Sequence, residues 1–416
     1  MDRPCTVPML FLRDPRDIEI ILRSEIRNVK KSFPYYILGQ LMGDGLTILE
    51  GNKWEVHRKL LDPAFHLKFL ENSVKIFARE SEILIQKLEK EIGQQSFDVK
   101  TYFNRVIVNI VTKDVTILDE EGVNECIEKL QQAHKLFMLR AMSPWLYPDF
   151  IYWRTSNGRK SKEIIEFSKK LAQDISNCKR EKLAREKKSR TANVEGELLG
   201  KKKMPTFLDL LLNATDYGVQ LSEKDINNEI RTFIVAAFDT VNVTLCWLMQ
   251  VLGNHLEIQD KVYEEIENVL HGSNRLITMK DLNEMNYLER VIKEVQRLHS
   301  SPVPLLSRTI TKDLEIGGHT VPEGMIINIP TCQVHKNPEI YQNPEKFDPD
   351  RFLPESESNY QYAYIPFSAG PRSCIGKKFA MLEMKTLLSY IIRNYKIYSL
   401  REKLTPITEI VLGSKE

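Results

Sequence analysis

The decapeptide Phe367-Ser368-Ala369-Gly370-Pro371-Arg372-Ser373-Cys374-Ile375-Gly376 prepares one cysteine to be a thiolate ligand. Gly370 and Pro371 mark a turn before Cys374, and Phe379, Leu382, Leu387, Leu388, Ile391 and Ile392 follow it at helical spacing. The sulfur is therefore expected at or near a helix N-terminus. There the macrodipole and free backbone N–H groups favour an anion, and Arg372 adds positive charge. A lone Cys is more often a small buried hydrophobe. The surrounding Phe367, Gly370, Arg372 and Gly376 favour a metal ligand instead.

Three other constellations carry polar chemistry. Asp239-Thr240 interrupts an apolar run after Ala236-Ala237-Phe238, which is costly unless both side chains find partners. The Thr hydroxyl can satisfy itself on the carbonyl of the preceding turn. Glu294 and Arg297 stand three apart in a strongly helical stretch, a pair worth only about 0.2–0.5 kcal/mol if exposed. Trp54 and Arg58 are four apart, hence on one helix face. Taken singly, each reads as an ordinary local feature.

Taken together and in order, they resemble the cytochrome P450 superfamily over essentially the whole chain. The Cys374 decapeptide looks like its haem-binding loop, Ala236 to Thr240 like its oxygen-activation motif, and Glu294-x-x-Arg297 with Arg351 like its structural triad. The runs Trp54 to His66, His335 to Phe352 and Tyr364 to Lys385 look most like microsomal family 4, and like an insect member of it. The resemblance implies a mainly α fold with a small β portion, a helical haem domain plus small β-sheets, forming one domain over residues 1–416. It implies haem b with Cys374 as the axial ligand, whose electron donation favours O–O cleavage. Phe367, Gly370 and Gly376 would shape that loop, and Trp54, Arg58, Arg308 and Arg372 would hold the propionates. Thr240 and Asp239 would relay protons to bound dioxygen as general acids.

By the same resemblance, one oxygen atom enters a C–H bond of a hydrophobic substrate such as a fatty acid, hydrocarbon, hormone or xenobiotic. Electrons come from NADPH through NADPH–cytochrome P450 reductase, or from cytochrome b5, with Lys53, Lys59, Lys377 and Lys378 as docking charges. The location is the cytosolic face of the endoplasmic reticulum membrane. The chain reads as truncated at the N-terminus, without the membrane anchor and Pro-rich hinge of eukaryotic relatives, and slightly at the C-terminus. Three departures stand at the oxygen-activation motif. Ala236 replaces a Glu that can esterify a haem methyl, so non-covalent haem is expected. Ala237 replaces Gly and Phe238 replaces His, which changes the pocket. The competing readings are a haem-thiolate isomerase, which has little use for Asp239-Thr240, and an inactive fragment or non-catalytic haem or lipid binder.

The elements that must position these residues are mostly helical. Helices are expected at Pro15 to Arg23, from Gly51 to Leu61, limited by Asp62-Pro63, from Lys68 to Leu88, Val99 to Ile117, after Ser161, Glu223 to Leu256 and Leu288 to Leu298. Val7 to Leu12 reads as a strand, Lys31 to Leu49 as loop-rich, and Leu314 to Ile329 as a hairpin. Ser143 to Trp153 reads equally as a packed connector or a lid over an access route, and Lys179 to Lys203 as a solvated charged loop. Thr232 to Gly253 lacks Lys, Arg and Glu, but Asp239, Asn242 and Gln250 inside it favour a buried core helix over a membrane span. At 416 residues, 42% apolar and net charge +2, the chain can bury a large core, and it lacks the basic excess of a nucleic-acid binder. Its six scattered cysteines read as reduced thiols.

Overall fold

A computed structural model describes residues 8–23, 29–112, 118–192, 206–300, 306–355, 361–400, 405–408 and 412–415. Met1 to Val7, residues 113–117, residues 193–203 and Pro302-Val303-Pro304, to which expectations attach, lie outside them. The architecture is predominantly helical. In chain order, β1 (Met9–Phe11), α1 (Pro15–Arg23), β2 (Val29–Lys31) and α2 (Phe33–Met42) come first. The 31–49 stretch is thus not loop-rich. Tyr35, Leu38, Leu41 and Met42 recur at helical spacing and are buried, and Pro34 stands in the first turn, where its missing N–H costs nothing.

Next come α3 (Gly51–Leu61), α4 (Leu67–Leu88), α5 (Val99–Thr112) and α6 (Glu120–Ala141). The 143–153 segment is a short 3-10 turn followed by α7 (Asp149–Tyr152). Arg140 pins it from inside, reaching Asp149 at 2.5 Å and the Leu146 and Tyr147 carbonyls at 3.1 Å. Trp145 and Phe150 remain exposed.

Helix α8 (Ser156–Ala192) continues well beyond Lys179, where a solvated loop was expected. Lys, Arg and Glu are good helix formers, and Lys179 is buried within 3.1 Å of Asp209. Thr206 and Asp209 form the capping box of α9 (Phe207–Leu212), and Ser222 and Asp225 that of α10 (Glu223–Asn254).

Helix α10 is the spine. It packs against α5 and α8, and later against α11 (Leu256–Leu270), α13 (Asn286–Leu298) and α15 (Lys377–Asn394). By length and composition it could cross a membrane, but 67% of its apolar window is buried inside the protein. Its polar Asn242 hydrogen-bonds Asn104 of α5. This is the partnered core helix that its internal polar residues foretold. The buried His57–Glu229 pair at 2.7 Å clamps α3 onto α10, which fixes the helix that carries Trp54 and Arg58.

Between α11 and α13 lies α12 (Met279–Glu284), with its own Thr278/Asp281 capping box. The later chain adds β3 (Leu306–Ile310), β4 (Leu314–Ile316), β5 (His319–Val321), β6 (Ile326–Ile329) and α14 (Thr331–Val334) before α15, and β7 (Thr405–Thr408) and β8 (Leu412–Lys415) after it. The expected hairpin is shorter than foreseen. β4 and β5 pair across Gly317-Gly318, both at positive φ, whereas β6 joins another sheet of order β1-β6-β3-β2. In that sheet Lys31 is the antiparallel partner of Arg308.

Candidate functional site

The Cys loop is closed by its own backbone. The Cys374 N–H donates to the Phe367 carbonyl at 2.9 Å, and the Ser373 N–H to that of Gly370 at 3.0 Å. Gly370 has φ +69, and a Cβ there would lie 2.0 Å from the Leu22 carbonyl oxygen, so only glycine fits. Gly376 is the N-cap residue of α15, which puts Cys374 at the helix N-terminus as expected. Its side chain is accessible and lines an internal cavity.

The electrostatics differ from the sequence expectation. Removal from bulk water pushes the Cys374 thiol up, outweighing the Gly376 and Lys377 N–H groups and the Arg58 and Lys377 charges that pull it down. The helix N-terminus and the two cations thus act in the expected direction, against the loss of water around the sulfur. A coordinated metal deprotonates a thiol outright.

Behind the loop, Glu294 and Arg297 are both fully buried and bonded twice, Nε to Oε2 at 2.7 Å and Nη2 to Oε1 at 2.9 Å. Arg351 Nε approaches Glu294 Oε1 at 3.4 Å, and the Asp348 N–H donates to the same oxygen at 3.0 Å. Arg297 also donates to the His335 carbonyl at 2.9 Å. His335 in turn accepts the Ile365 N–H on Nε2 at 2.8 Å, and burial pushes its pKa down to about 3, so it stays neutral. A chain of bonds thus runs from the buried arginine to the start of the Cys loop.

Asp239 and Thr240 of α10 line the same cavity as Cys374. The Thr240 hydroxyl donates to the Ala236 carbonyl at 2.9 Å, the local bond that its position in the helix allows. Asp239 is buried, with Oδ2 2.7 Å from His134 Nδ1 of α6. That contact is poorly aligned: neither Asp239 Oδ2 nor His134 Nε2 makes a hydrogen bond. Ala236 and Ala237 line the cavity, but Phe238 does not. It is 2% exposed in the main core, because its helix position faces away, and so it does not change the pocket as expected.

The cavity, of roughly 330 Å³, is mostly apolar, with Leu38, Phe65 and Phe233 among its walls. One edge is cationic, formed by Lys31, Arg58, Arg308 and Arg372. Arg372 lies over the Trp54 ring at 3.9 Å and donates to the Leu49 carbonyl at 2.7 Å. Arg58 donates to the Ser373 carbonyl at 2.8 Å and to Asp62 at 2.8 Å. Burial, then the neighbouring Arg308 charge, pushes Arg372 down to about 10.

The sequence profile of the cytochrome P450 family matches residues 3–416. The chain belongs to the cytochrome P450 family. Relatives include cytochrome P450 4c21 of Blattella germanica, 38% identical over 95% of this chain and 79% of the relative. Cytochrome P450 4c3 of Drosophila melanogaster is 35% identical over 99% and 79%, and cytochrome P450 4V2 of Mus musculus 34% over 98% and 78%. The helical fold with small sheets is the P450 fold, and the protein is a haem-thiolate monooxygenase that binds haem b non-covalently.

The residues of this P450 fit that group. Among the described residues no cluster of three or more His, Cys, Asp and Glu side chains could hold a metal ion, so a metal on Cys374 must bring most of its ligands with it. A porphyrin does so, and its two carboxylates suit an edge lined by Lys31, Arg58, Arg308 and Arg372. Ala236 offers no carboxyl for an ester bond.

Sequence reasoning missed three cavity residues. His134 gave no signal, because only the tertiary packing joins it to Asp239. Lys31 lay in a stretch read as loop. Glu383 was legible in principle: it stands four residues from both Phe379 and Leu387, on the apolar face of α15. It is fully buried, neither oxygen is hydrogen-bonded, and burial pushes its carboxyl up to about 8.

Proposed function

We propose that residues 1–416 act as one unit that hydroxylates a hydrophobic substrate, such as a fatty acid, hydrocarbon, hormone or xenobiotic, with electrons drawn from NADPH. The observation that carries this reading is the single cavity that joins Cys374, Thr240, Asp239 and a cationic edge to otherwise apolar walls. Haem iron, when bound, supplies dioxygen activation. Cys374 Sγ, once deprotonated, would hold the haem iron, with Phe367, Gly370 and Gly376 keeping its loop in place. Trp54, Arg58, Arg308 and Arg372 hold the propionates, and Glu294, Arg297 and Arg351 fix the loop from behind.

The Thr240 hydroxyl exchanges its bond to the Ala236 carbonyl for one into the cavity, where it donates a proton. Asp239, by turning from His134 toward the cavity, would pass it a replacement proton taken up from solvent. The aromatic and aliphatic walls exclude water and favour long apolar chains. That preference agrees with membership near the family 4 relatives.

The electron donor is NADPH–cytochrome P450 reductase, with cytochrome b5 as a second donor, at the cytosolic face of the endoplasmic reticulum. Lys377 and Lys378 are exposed at the start of α15 and Lys59 is exposed on α3, so all three can meet an acidic partner. Lys53 is committed to Asp225 at 2.5 Å and contributes less. Unchanged reductase-supported turnover after charge reversal at Lys377 and Lys378 would remove this docking face.

The deciding experiment is the carbon monoxide difference spectrum of the reduced protein, followed by product analysis with reductase and a fatty-acid panel. A far-red-shifted Soret band that disappears in Cys374→Ser, together with hydroxylated product, is the expected result. A band typical of a neutral axial ligand, or NADPH use with no oxygenated product from any apolar substrate, overturns the reading.

A further inference from the structure

Where α2, α6, α8 and α10 meet, a small side pocket adjoins the main cavity, and Leu38, His134 and Val235 line both. Its free volume is roughly 40 Å³. A water fills about 10–15 Å³ by such a measure, so the pocket holds a group of about three heavy atoms, the size of a carboxylate. Leu41, Leu130, Phe167 and Ile234 make its walls largely apolar. Arg231 of α10 is the exception.

Arg231 is 5% exposed and lines the side pocket. Its Nε donates to Ser168 Oγ at 3.0 Å and its Nη2 to the Leu41 carbonyl at 2.6 Å, whereas Nη1 reaches Asn228 Oδ1 only at 3.5 Å. A guanidinium has five N–H groups, so two are left without a bond among the described residues. Asp44 and Glu166 are both exposed and act on it only through space, without a hydrogen bond. Burial pushes the guanidinium down, yet arginine stays charged in proteins. A buried charge without a counter-ion is costly, and capping the α2 carbonyl uses a single N–H. His134 adds a second open group, since its buried Nε2 has no hydrogen bond. Lys129, half-buried, is the other charged side chain on the pocket wall.

We propose that Arg231 anchors a carboxylate at the far end of the substrate, and that the distance from Arg231 to Thr240 sets which carbon is oxidised. The proposal rests on the hydroxylase reading above, in which propionates occupy the cations at the Cys-loop edge and leave Arg231 to the substrate. Helix α10 rises about 1.5 Å per residue, so the nine steps from Arg231 to Thr240 span about 13 Å, and the Arg231 side chain leans further toward the helix N-terminus. An extended alkyl chain advances about 1.3 Å per carbon. A carboxylate on Arg231 thus puts a carbon about ten to fourteen positions away beside Thr240. The site measures from the carboxylate, not from the methyl end.

The test is titration of the holoenzyme with dodecanoate, methyl dodecanoate and dodecane, followed at the Soret band, and comparison of the products from dodecanoate and hexadecanoate. Dodecanoate is expected to bind at least about tenfold tighter than its methyl ester, as for one hydrogen bond between charged partners. Hexadecanoate should be oxidised at the same carbon as dodecanoate, counted from the carboxylate. Arg231→Gln, which keeps an amide donor for the Leu41 carbonyl, should lose the preference for the acid and scatter the products, with the ester bound as before. Arg231→Lys keeps a cation and should keep most of the preference.

Equal binding of acid and ester by the wild-type protein overturns the anchor, as does oxidation of hexadecanoate at its methyl end, and in either case the oxygenated product leaves the hydroxylase reading standing. Neither result needs a variant, so both hold if Arg231→Gln fails to fold. Equal loss of acid and ester binding in a folded Arg231→Gln protein reduces Arg231 to a cap on α2 and overturns the inference. A preference kept in Arg231→Gln but lost in Lys129→Gln moves the anchor to Lys129 and overturns it too. A normal reduced carbon monoxide band with no oxygenated product from acid, ester or alkane overturns the hydroxylase reading and the inference with it.

Discussion

Two buried charge pairs flank the cavity, and they are built in opposite ways. Behind the Cys loop, Glu294 receives two bonds from Arg297, one from the Asp348 backbone and the approach of Arg351. On α10, Asp239 has one 2.7 Å contact with His134 and no aligned hydrogen bond on that oxygen. A fully satisfied network fixes a single geometry, whereas a half-satisfied pair can change partners at small cost. The first arrangement suits a scaffold that must not move. The second suits a side chain that must turn and pass a proton.

The sharpest way to break this contrast is Arg297→Ala. It leaves Glu294 charged in the core, for which about 3–5 kcal/mol of stability is expected to be lost, together with the haem-loaded yield. Thermal unfolding and the reduced carbon monoxide band measure both. A loss below about 1 kcal/mol would mean that the cluster is no scaffold.

Glu383, the unpartnered carboxyl on the Cys-loop side, tests whether that side is satisfied throughout. Its carboxyl titrates near 8 in the fold against an ordinary 4.5, so the native state keeps a proton that the unfolded chain has lost. Wild-type stability therefore falls as pH rises from 4.5 through about 8. Glu383→Gln removes that loss and should be more stable by about 5 kcal/mol above the window, with little difference below it. Parallel unfolding curves at all pH values would show that the carboxyl has a partner.

On the α10 side the expected effects fall on chemistry rather than stability. Thr240→Ala removes only a local bond to the Ala236 carbonyl, so stability should change by less than about 1 kcal/mol. Product formed per NADPH should fall about tenfold or more, with peroxide rising in its place. Unchanged coupling would remove Thr240 from the proton relay.

The smallest effect is expected far from both pairs, at the Arg275–Asp281 cap of α12. Arg275 binds both Asp281 oxygens, at 2.6 and 2.7 Å, and holds that carboxyl down to about 2. Because the Arg275 side chain is exposed to solvent, Arg275→Ala should cost only a small part of the stability. The loss should be complete above the ordinary value of 3.8 and vanish as pH falls through about 2. Urea unfolding at two pH values checks the sign.

The local chemistry of this protein was written in its sequence. The turn at Gly370-Pro371, the helix after Cys374, the Glu294/Arg297 spacing and the polar interruption at Asp239-Thr240 all depend on residues within a few positions of one another, and period and turn chemistry suffice to read them. Lys31 to Leu49 and Lys179 to Ala192 misled for local reasons too, since charge and tyrosine content masked helical spacing. The tertiary structure alone decided what each polar side chain meets. Lys31 faces Arg308 because β2 pairs with β3, His134 reaches Asp239 because α5 and α8 each pack against both α6 and α10, and His57 meets Glu229 because α3 docks on the same helix. These partners are separated by about a hundred residues or more, and no local pattern encodes them. Burial made the final difference at Glu383, which it left holding a proton.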